Sequence, residues 1–308
     1  MNEQSHITGF IKEKAIELGF EAVGFAKARR LDMAAGRLQT WLDKGNNGRM
    51  AYMENHFEKR VDPTQLVSGA KTVVSLLYNY YPVEKQREDT FQIAKYAYGK
   101  DYHFLLKKKL KQLYTELRKA FPHVEGRYFT DSAPVLEGEW AQMAGLGWIG
   151  KNSLLINPGL GSFFFLAELI INVEVEYDAP VGNHCGTCTK CIEACPTEAI
   201  AQEGFEVDAS KCISYLTIEL KEAEIPEVFK DKMKDNIFGC DICQDVCPWN
   251  KFAKPHREPY FTPSRGLLTK TKKGWLQLTE KEFDDLFVKS PVRRTKYKGL
   301  MRNIRFNT

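Results

Sequence analysis

Eight cysteines crowd into one stretch of the 308-residue chain, from Cys185 to Cys247, and none lies outside it. Cys185, Cys188, Cys191 and Cys195, followed by Pro196, read C-x2-C-x2-C-x3-C-P. Cys240, Cys243 and Cys247, followed by Pro248, repeat the second half of that pattern, and Cys212 supplies the missing member. Three thiolates two residues apart wrap a tight loop around one iron-sulfur cubane, and the thiol after the three-residue step points away to another. That rule assigns Cys185, Cys188, Cys191 and Cys247 to one [4Fe-4S] cluster, and Cys195, Cys212, Cys240 and Cys243 to a second. Zinc sites also use C-x2-C pairs, but a tetrahedral ion needs neither the three-residue step nor the proline after it. Clustered thiols suit metal ligation in a reducing compartment better than a disulfide scaffold spread over a secreted chain.

Two clusters move single electrons and say nothing about what is reduced, so the rest of the chain must supply the chemistry. Helical spacing runs from about Asn2 to Leu18, a short strand is expected at Ala22 to Ala26, and a helix around Leu38 to Leu42. Thr72 to Tyr80, rich in β-branched and aromatic residues and ended by Pro82, reads as a buried strand. Leu106, Leu110, Leu113 and Leu117 trace one face of a basic helix, and Ser162 to Val175 reads as a core strand interrupted by Glu168. That apolar run is far too short to cross a bilayer, and the polar N-terminus lacks a signal-peptide pattern, so a cytoplasmic protein with no membrane partner is expected. The fold class expected is α/β (α+β): a mixed domain over residues 1–180, a ferredoxin-like module over 181–255 after the Pro180, Gly182, Asn183 boundary, and a basic segment over 256–308.

Gly145, Gly147 and Gly150 satisfy G-x-G-x-x-G, and Gly145, Gly150 and Lys151 come within one residue of a P-loop. A dinucleotide fingerprint needs a strand before it and a helix after it. Here Val135 to Ala144 reads as a helix before, Ser153 to Ile156 as extended after, and Asn152 replaces the Ser or Thr of a P-loop. The expectation is therefore a turn whose backbone passes close to something, not a nucleotide site.

The segments FTDSAPVLEGEWAQMAGLGWIGKNSLL, GSFFFLAELI, CGTCTKCIEACPTEAI, KCISYLTIE and GCDICQDVCPWN, taken together, resemble the epoxyqueuosine reductases, from about Glu58-Lys59-Arg60 through Arg302-Asn303. Reductive dehalogenases share the plan of cobalamin plus two clusters and form the competing reading. The resemblance implies a base-off cobalamin in the N-terminal domain, reduced through the clusters, acting on the epoxide of epoxyqueuosine in a tRNA anticodon loop. Removing the epoxide oxygen as water takes two electrons and two protons, and a cofactor carries the hard step. Asp131 matches the family's proton donor and is counted among the cofactor contacts; a raised pKa, through burial over an apolar corrin, is expected of it. Read from the residues alone, Asp131-Ser132-Ala133-Pro134 is equally a helix-capping sequence. The other matching cobalamin positions are Arg60, Lys151, Asn152 and Ser214, with Ala94, Gly150, Leu155 and Leu166 near the corrin. Asp101-Tyr102-His103 lacks the glycine of a D-x-H-x-x-G motif, so His103 is read as an ordinary helix-start residue.

After Asp285 the chain carries no acidic residue, although its net charge is only +4. Arg293, Arg294, Lys296, Lys298 and Arg302, with Arg305 and the interleaved Tyr297 and Phe306, offer phosphate contacts and stacking surfaces, or else form a solvated basic tail. The resemblance places tRNA contacts here, and implies a monomer supplied by an external electron donor. Many relatives continue into helical repeats, whereas this chain stops at Thr308. Two other classes stay open: an electron-transfer ferredoxin, and a metal-stabilised RNA-binding protein without catalysis.

Overall fold

The computed structural model describes residues 2–221 and 224–308. Helix α1 (Glu3–Glu17) starts where the Asn2 side chain accepts the Ser5 N–H. Strand β1 (Ala22–Lys27), helix α2 (Asp32–Asp43), strand β2 (Thr72–Asn79) and helix α3 (Tyr102–Ala120) follow, all close to the segments expected from the residue pattern. Strand β3 (Gly126–Phe129), helix α4 (Glu137–Met143) and strand β4 (Phe164–Ile171) complete the domain. The four strands form one antiparallel sheet in the order β1-β2-β4-β3.

The central strands β2 and β4 are buried on both faces, which is why they read as continuous apolar runs and not as alternating ones. Val74, Leu76, Leu169 and Ile171 face α1 and the Leu106, Leu110, Leu113, Leu117 stripe of α3. Fully burying one such leucine contributes roughly 1.5–3 kcal/mol. On the other face Val73, Phe129 and Ile170 pack on Trp140 and Ala144 of α4. Gly24 permits that approach, since a Cβ there would stand 2.1 Å from the Ala144 carbonyl oxygen. The sheet is thus a middle layer between helices on both faces.

The glycine-rich turn resolves as expected, with a helix before it and extended chain after. Trp148–Ile149 pairs antiparallel with Leu155–Ile156, and what the backbone passes close to is this hairpin itself. A Cβ at Gly147 would lie 2.1 Å from the Ile156 carbonyl oxygen.

The cysteine-rich part is bound tightly to the sheet domain. Asn236–Phe238 runs parallel to Gln92–Ile93, and buried Lys95 bridges Asp245 at 2.7 Å and Asp241 at 3.3 Å. Asn250 Nδ2 and Gln244 Nε2 both donate to groups of Ser162. The segment from 256 onward is not a loose tail. Leu267, Trp275, Phe283, Leu300 and Ile304 form one core with Phe91, Ile93 and Phe238, which come from both preceding parts of the chain. The closing helix α5 (Lys296–Phe306) is locked by fully buried Asn303, whose Nδ2 donates to the carbonyls of Thr217 and Ile237 at 2.8 Å each. Among the described residues no helix is long and apolar enough to cross a membrane.

Candidate active site and thiol module

Asp131 stands in the loop between β3 and α4 with a φ of 55°, a left-handed backbone that costs a non-glycine residue free energy, though Asp tolerates it better than most. Three contacts hold it there. Its N–H donates to Glu137 Oε1 at 2.5 Å, Tyr102 Oη donates to its Oδ2 at 2.7 Å, and His103 Nε2 lies 3.1 Å from the same oxygen. His103 Nδ1 in turn lies 2.7 Å from Asp101 Oδ1, which also accepts the His103 N–H and so caps α3. The Tyr102 ring stacks between His103 and Phe165, with ring centres 4.2 and 4.0 Å away. The result is a carboxylate–imidazole–carboxylate chain whose outer member, Asp131, keeps half its side chain exposed.

Two expectations about this segment need correction. Asp131-Ser132-Ala133-Pro134 caps no helix: α4 begins only at Glu137, after Leu136, with no side-chain cap, because the chain first makes a tight turn through Ser132. Nor is the Asp131 pKa raised. Burial pushes it up, but hydrogen bonds from His103 and Tyr102 outweigh burial and lower it. For His103 burial works downward, and the bonds to Asp101 and Asp131 overcome it, raising the pKa to about 9. At neutral pH the transferable proton therefore rests on His103, and Asp131 is the anion it serves. His103 is more than a helix-start residue; Asp101-Tyr102-His103 carried that signal without the partner 28 residues away.

The residues matched to cobalamin contacts fall into two places. Lys151 Nζ donates to the carbonyls of Gly186 and Cys188, inside the first thiol loop. Asn152 is buried with its amide facing the Cys243 sulfur and its Nδ2 without an ordinary acceptor. Ser214 turns its N–H and hydroxyl toward the Cys212 sulfur. Gly150 abuts Ile156 and Asn152, and Leu155 shares an apolar cluster with Leu166 on β4. Arg60 is buried, not a surface charge: its Nη2 donates to the Tyr52 carbonyl at 2.7 Å, and its Nε meets no acceptor. Ala94 packs against Gly239, one residue before Cys240. Tyr52, Tyr96, Asp131 and Arg294 lie near enough to feel one another's charge, and Arg294 pairs with Glu219 at 2.8 Å. Arg60 Nε and Asn152 Nδ2 are buried donors without acceptors, which the amide carbonyls edging a corrin would satisfy.

All eight thiols are free and partly buried. Cys191 and Cys247 face Cys185 and Cys188, whose charges, after burial, raise both pKa values. Cys243 faces Cys212 and Cys195, and Cys240 faces Cys243 and Cys212, with burial again the larger cause. The thiols that raise one another's pKa thus belong to the same group of four that the spacing assigns. A cavity of about 50 Å³ opens between Cys185, Cys188, Cys191 and Cys247.

At the basic end, Arg293, Arg294, Lys296 and Lys298 are exposed. Arg302 differs, since its guanidinium donates to the carbonyls of Leu216 and Leu220 and ties α5 to the π-helical turn Tyr215–Glu219. The aromatics expected to stack on bases are engaged elsewhere: Tyr297 Oη donates to the Leu278 carbonyl and its ring packs on Phe283, and Phe306 lies under Lys230.

The chain is similar to known proteins in sequence and fold. A 4Fe-4S double cluster binding domain matches residues 184–250, and the model described as epoxyqueuosine reductase QueG, DUF1730, matches residues 60–132. An epoxyqueuosine reductase of Cellulophaga algicola is 55% identical over 306 residues, spanning 99% of each chain. The crystal structure of an epoxyqueuosine reductase with an epoxyqueuosine-modified tRNA-Tyr stem loop superposes with a TM-score of 0.88 at 30% identity, over 98% of this chain and 80% of that one. A catabolic reductive dehalogenase reaches a TM-score of 0.51 at 16% identity, over 99% of this chain and 38% of that one, a likeness of fold alone.

Proposed function

Since this chain belongs to the epoxyqueuosine reductase family, we propose that it reduces epoxyqueuosine to queuosine in the anticodon loop of tRNA, with Asp131 relaying a proton from His103 to the epoxide oxygen. The observation that carries this reading is the half-exposed Asp131 carboxylate, backed by the Tyr102 hydroxyl and the His103 imidazole on one oxygen.

Base-off cobalamin, when bound, supplies two-electron reduction at the epoxide carbon. Arg60 Nε and Asn152 Nδ2 are the buried donors that would hold its amides, with Ala94, Gly150, Leu155 and Leu166 as apolar walls. Asn152 and Ser214 lie close enough to Cys243 and Cys212 to lower their thiol pKa values against burial, so the proposed pocket borders the second cluster's ligands. The two thiol groups would each hold one [4Fe-4S] cluster, which would supply single-electron transfer from an external donor. Asp131 starts as the anion: the proton held by His103 passes from Nε2 through Asp131 Oδ2 to the opening oxygen, and Asp101 on Nδ1 stabilises the imidazolium until that proton leaves. Tyr102 keeps the receiving oxygen oriented. Arg293, Arg294, Lys296 and Lys298 contact tRNA phosphates, and Arg302 serves that surface by holding α5 in place. On this reading residues 1–180 serve catalysis, 181–255 electron delivery and 256–308 RNA binding.

The test is Asp131→Asn, reconstituted with iron, sulfide and cobalamin. Retained cluster and cobalamin absorption with no queuosine formed is the expected result; normal turnover refutes the assignment.

A further inference from the structure

Glu168 is the one ionisable residue in the apolar strand β4, and it is fully buried. Its neighbours across the sheet are Ser75 on β2 and Phe129 on β3, on the face covered by α4. Neither of its oxygens meets an ordinary donor, and the Ser75 hydroxyl beside it is also without a partner. The group facing Glu168 is the Glu137 carboxyl at the start of α4, and two carboxyls can bond only if one is protonated. Glu137 is in turn the acceptor for the Asp131 N–H at 2.5 Å. One residue earlier, Thr130 Oγ1 donates to the Leu166 carbonyl on β4. The Asp131 loop is thus fastened to the sheet at two successive residues, and one fastening ends on a buried acid pair.

We propose that Glu137 and Glu168 form a proton-sharing carboxyl pair that positions Asp131: Glu168 holds the proton and donates to Glu137, and Glu137, left anionic, grips the Asp131 N–H in its left-handed conformation. The inference rests on the reading of Asp131 as proton donor. A lone buried carboxylate is costly, whereas a pair with one proton carries a single charge that its hydrogen bond and the Asp131 N–H share. Burial, then the neighbouring carboxyls, keep Glu168 protonated well above the usual range, and burial raises Glu137 to about 7. The charged groups facing Glu137 are Glu168 from β4, Asp131 from the loop and His103 from α3.

The experiment combines hydrogen exchange at the Asp131 amide with steady-state kinetics on modified tRNA, using the fully reconstituted protein. Glu137→Ala is expected to speed exchange by about tenfold or more and to lower kcat roughly 100-fold with KM for tRNA nearly unchanged. Glu168→Leu removes the donor, so the acid limb of the kcat profile moves to higher pH. Glu168→Gln restores a permanent donor, rescues turnover and moves that limb to lower pH. Wild-type exchange and kcat in Glu137→Ala overturn the proposal, as does Glu168→Gln failing as badly as Glu168→Leu. Should Glu168→Leu not fold, Glu137→Ala and Glu168→Gln decide alone. Asp131→Asn is expected to stop turnover while keeping slow exchange; turnover there refutes the donor reading and leaves exchange to judge the latch.

Discussion

His103 Nε2 lies 3.1 Å from Asp131 Oδ2, and the same imidazole reaches Asp101 Oδ1 with its other nitrogen at 2.7 Å. An imidazole between two carboxylates is held cationic, its pKa moving from 6.5 to about 9 despite burial. Stability gained this way is fully present below the ordinary value of 6.5 and is lost as pH rises through about 9. The partner carboxylates, lowered by His103 against burial, contribute above 3.8 and lose their share as pH falls through their depressed values. His103→Gln should therefore lower Tm most between about pH 4 and 6.5, with the difference shrinking toward pH 9. Melting curves across that range check it, and a pH-independent difference contradicts it.

Ligand exchange between the two thiol groups predicts an unusual mutational pattern. Cys247→Ser should strip the cluster held by Cys185, Cys188 and Cys191, although Cys247 follows Cys243 in the chain, and Cys195→Ser should strip the other. Each variant should fall from about eight irons to about four, with the surviving cluster spectroscopically different in the two. Iron analysis with electron paramagnetic resonance reads the outcome.

Arg302 and Arg293 should separate structure from RNA binding. Arg302→Ala leaves the Leu216 and Leu220 carbonyls short of a donor and should cost about 1–3 kcal/mol of stability. Arg293 makes an exposed pair with Asp284 and lies over the Phe283 ring, both weak contacts, so Arg293→Ala should change stability by about 1 kcal/mol or less. Neutralising Arg293, Arg294 and Lys298 together should weaken tRNA binding and flatten its salt dependence by up to about three phosphate contacts. Denaturant titration and binding isotherms at several salt concentrations distinguish the two effects.

Arg60 and Asn152 should govern cobalamin retention. Arg60→Gln and Asn152→Ala each remove a buried donor, and reconstituted variants should release cobalamin more readily than wild type on gel filtration while keeping their iron. Equal retention removes both residues from the proposed pocket.

Local chemistry was the most legible part of the sequence. The cysteine spacing points to a double-cluster domain, which the family match over residues 184–250 supports, and the Leu106-to-Leu117 stripe and the Thr72 run are periodic signals of burial. Meetings across the sheet were not legible. Asp131 resembled a helix cap because capping and proton donation draw on the same short polar side chains. Only the turn through Ser132 separates the two, by delaying α4 to Glu137. Glu168 was visible as an acid interrupting an apolar strand, but its partner Glu137 is reached through strand order, which pattern alone does not determine. The intramolecular partners of Tyr297 and Phe306, Leu278 and Lys230, were likewise out of reach of the pattern.

The most direct test of the account is nucleoside mass analysis of epoxyqueuosine-containing tRNA after incubation with reduced protein carrying both clusters and cobalamin. The account predicts conversion to queuosine, with loss of one oxygen, by wild type and none by Asp131→Asn at equal cofactor content. No conversion by the wild-type protein, or equal conversion by the variant, contradicts it.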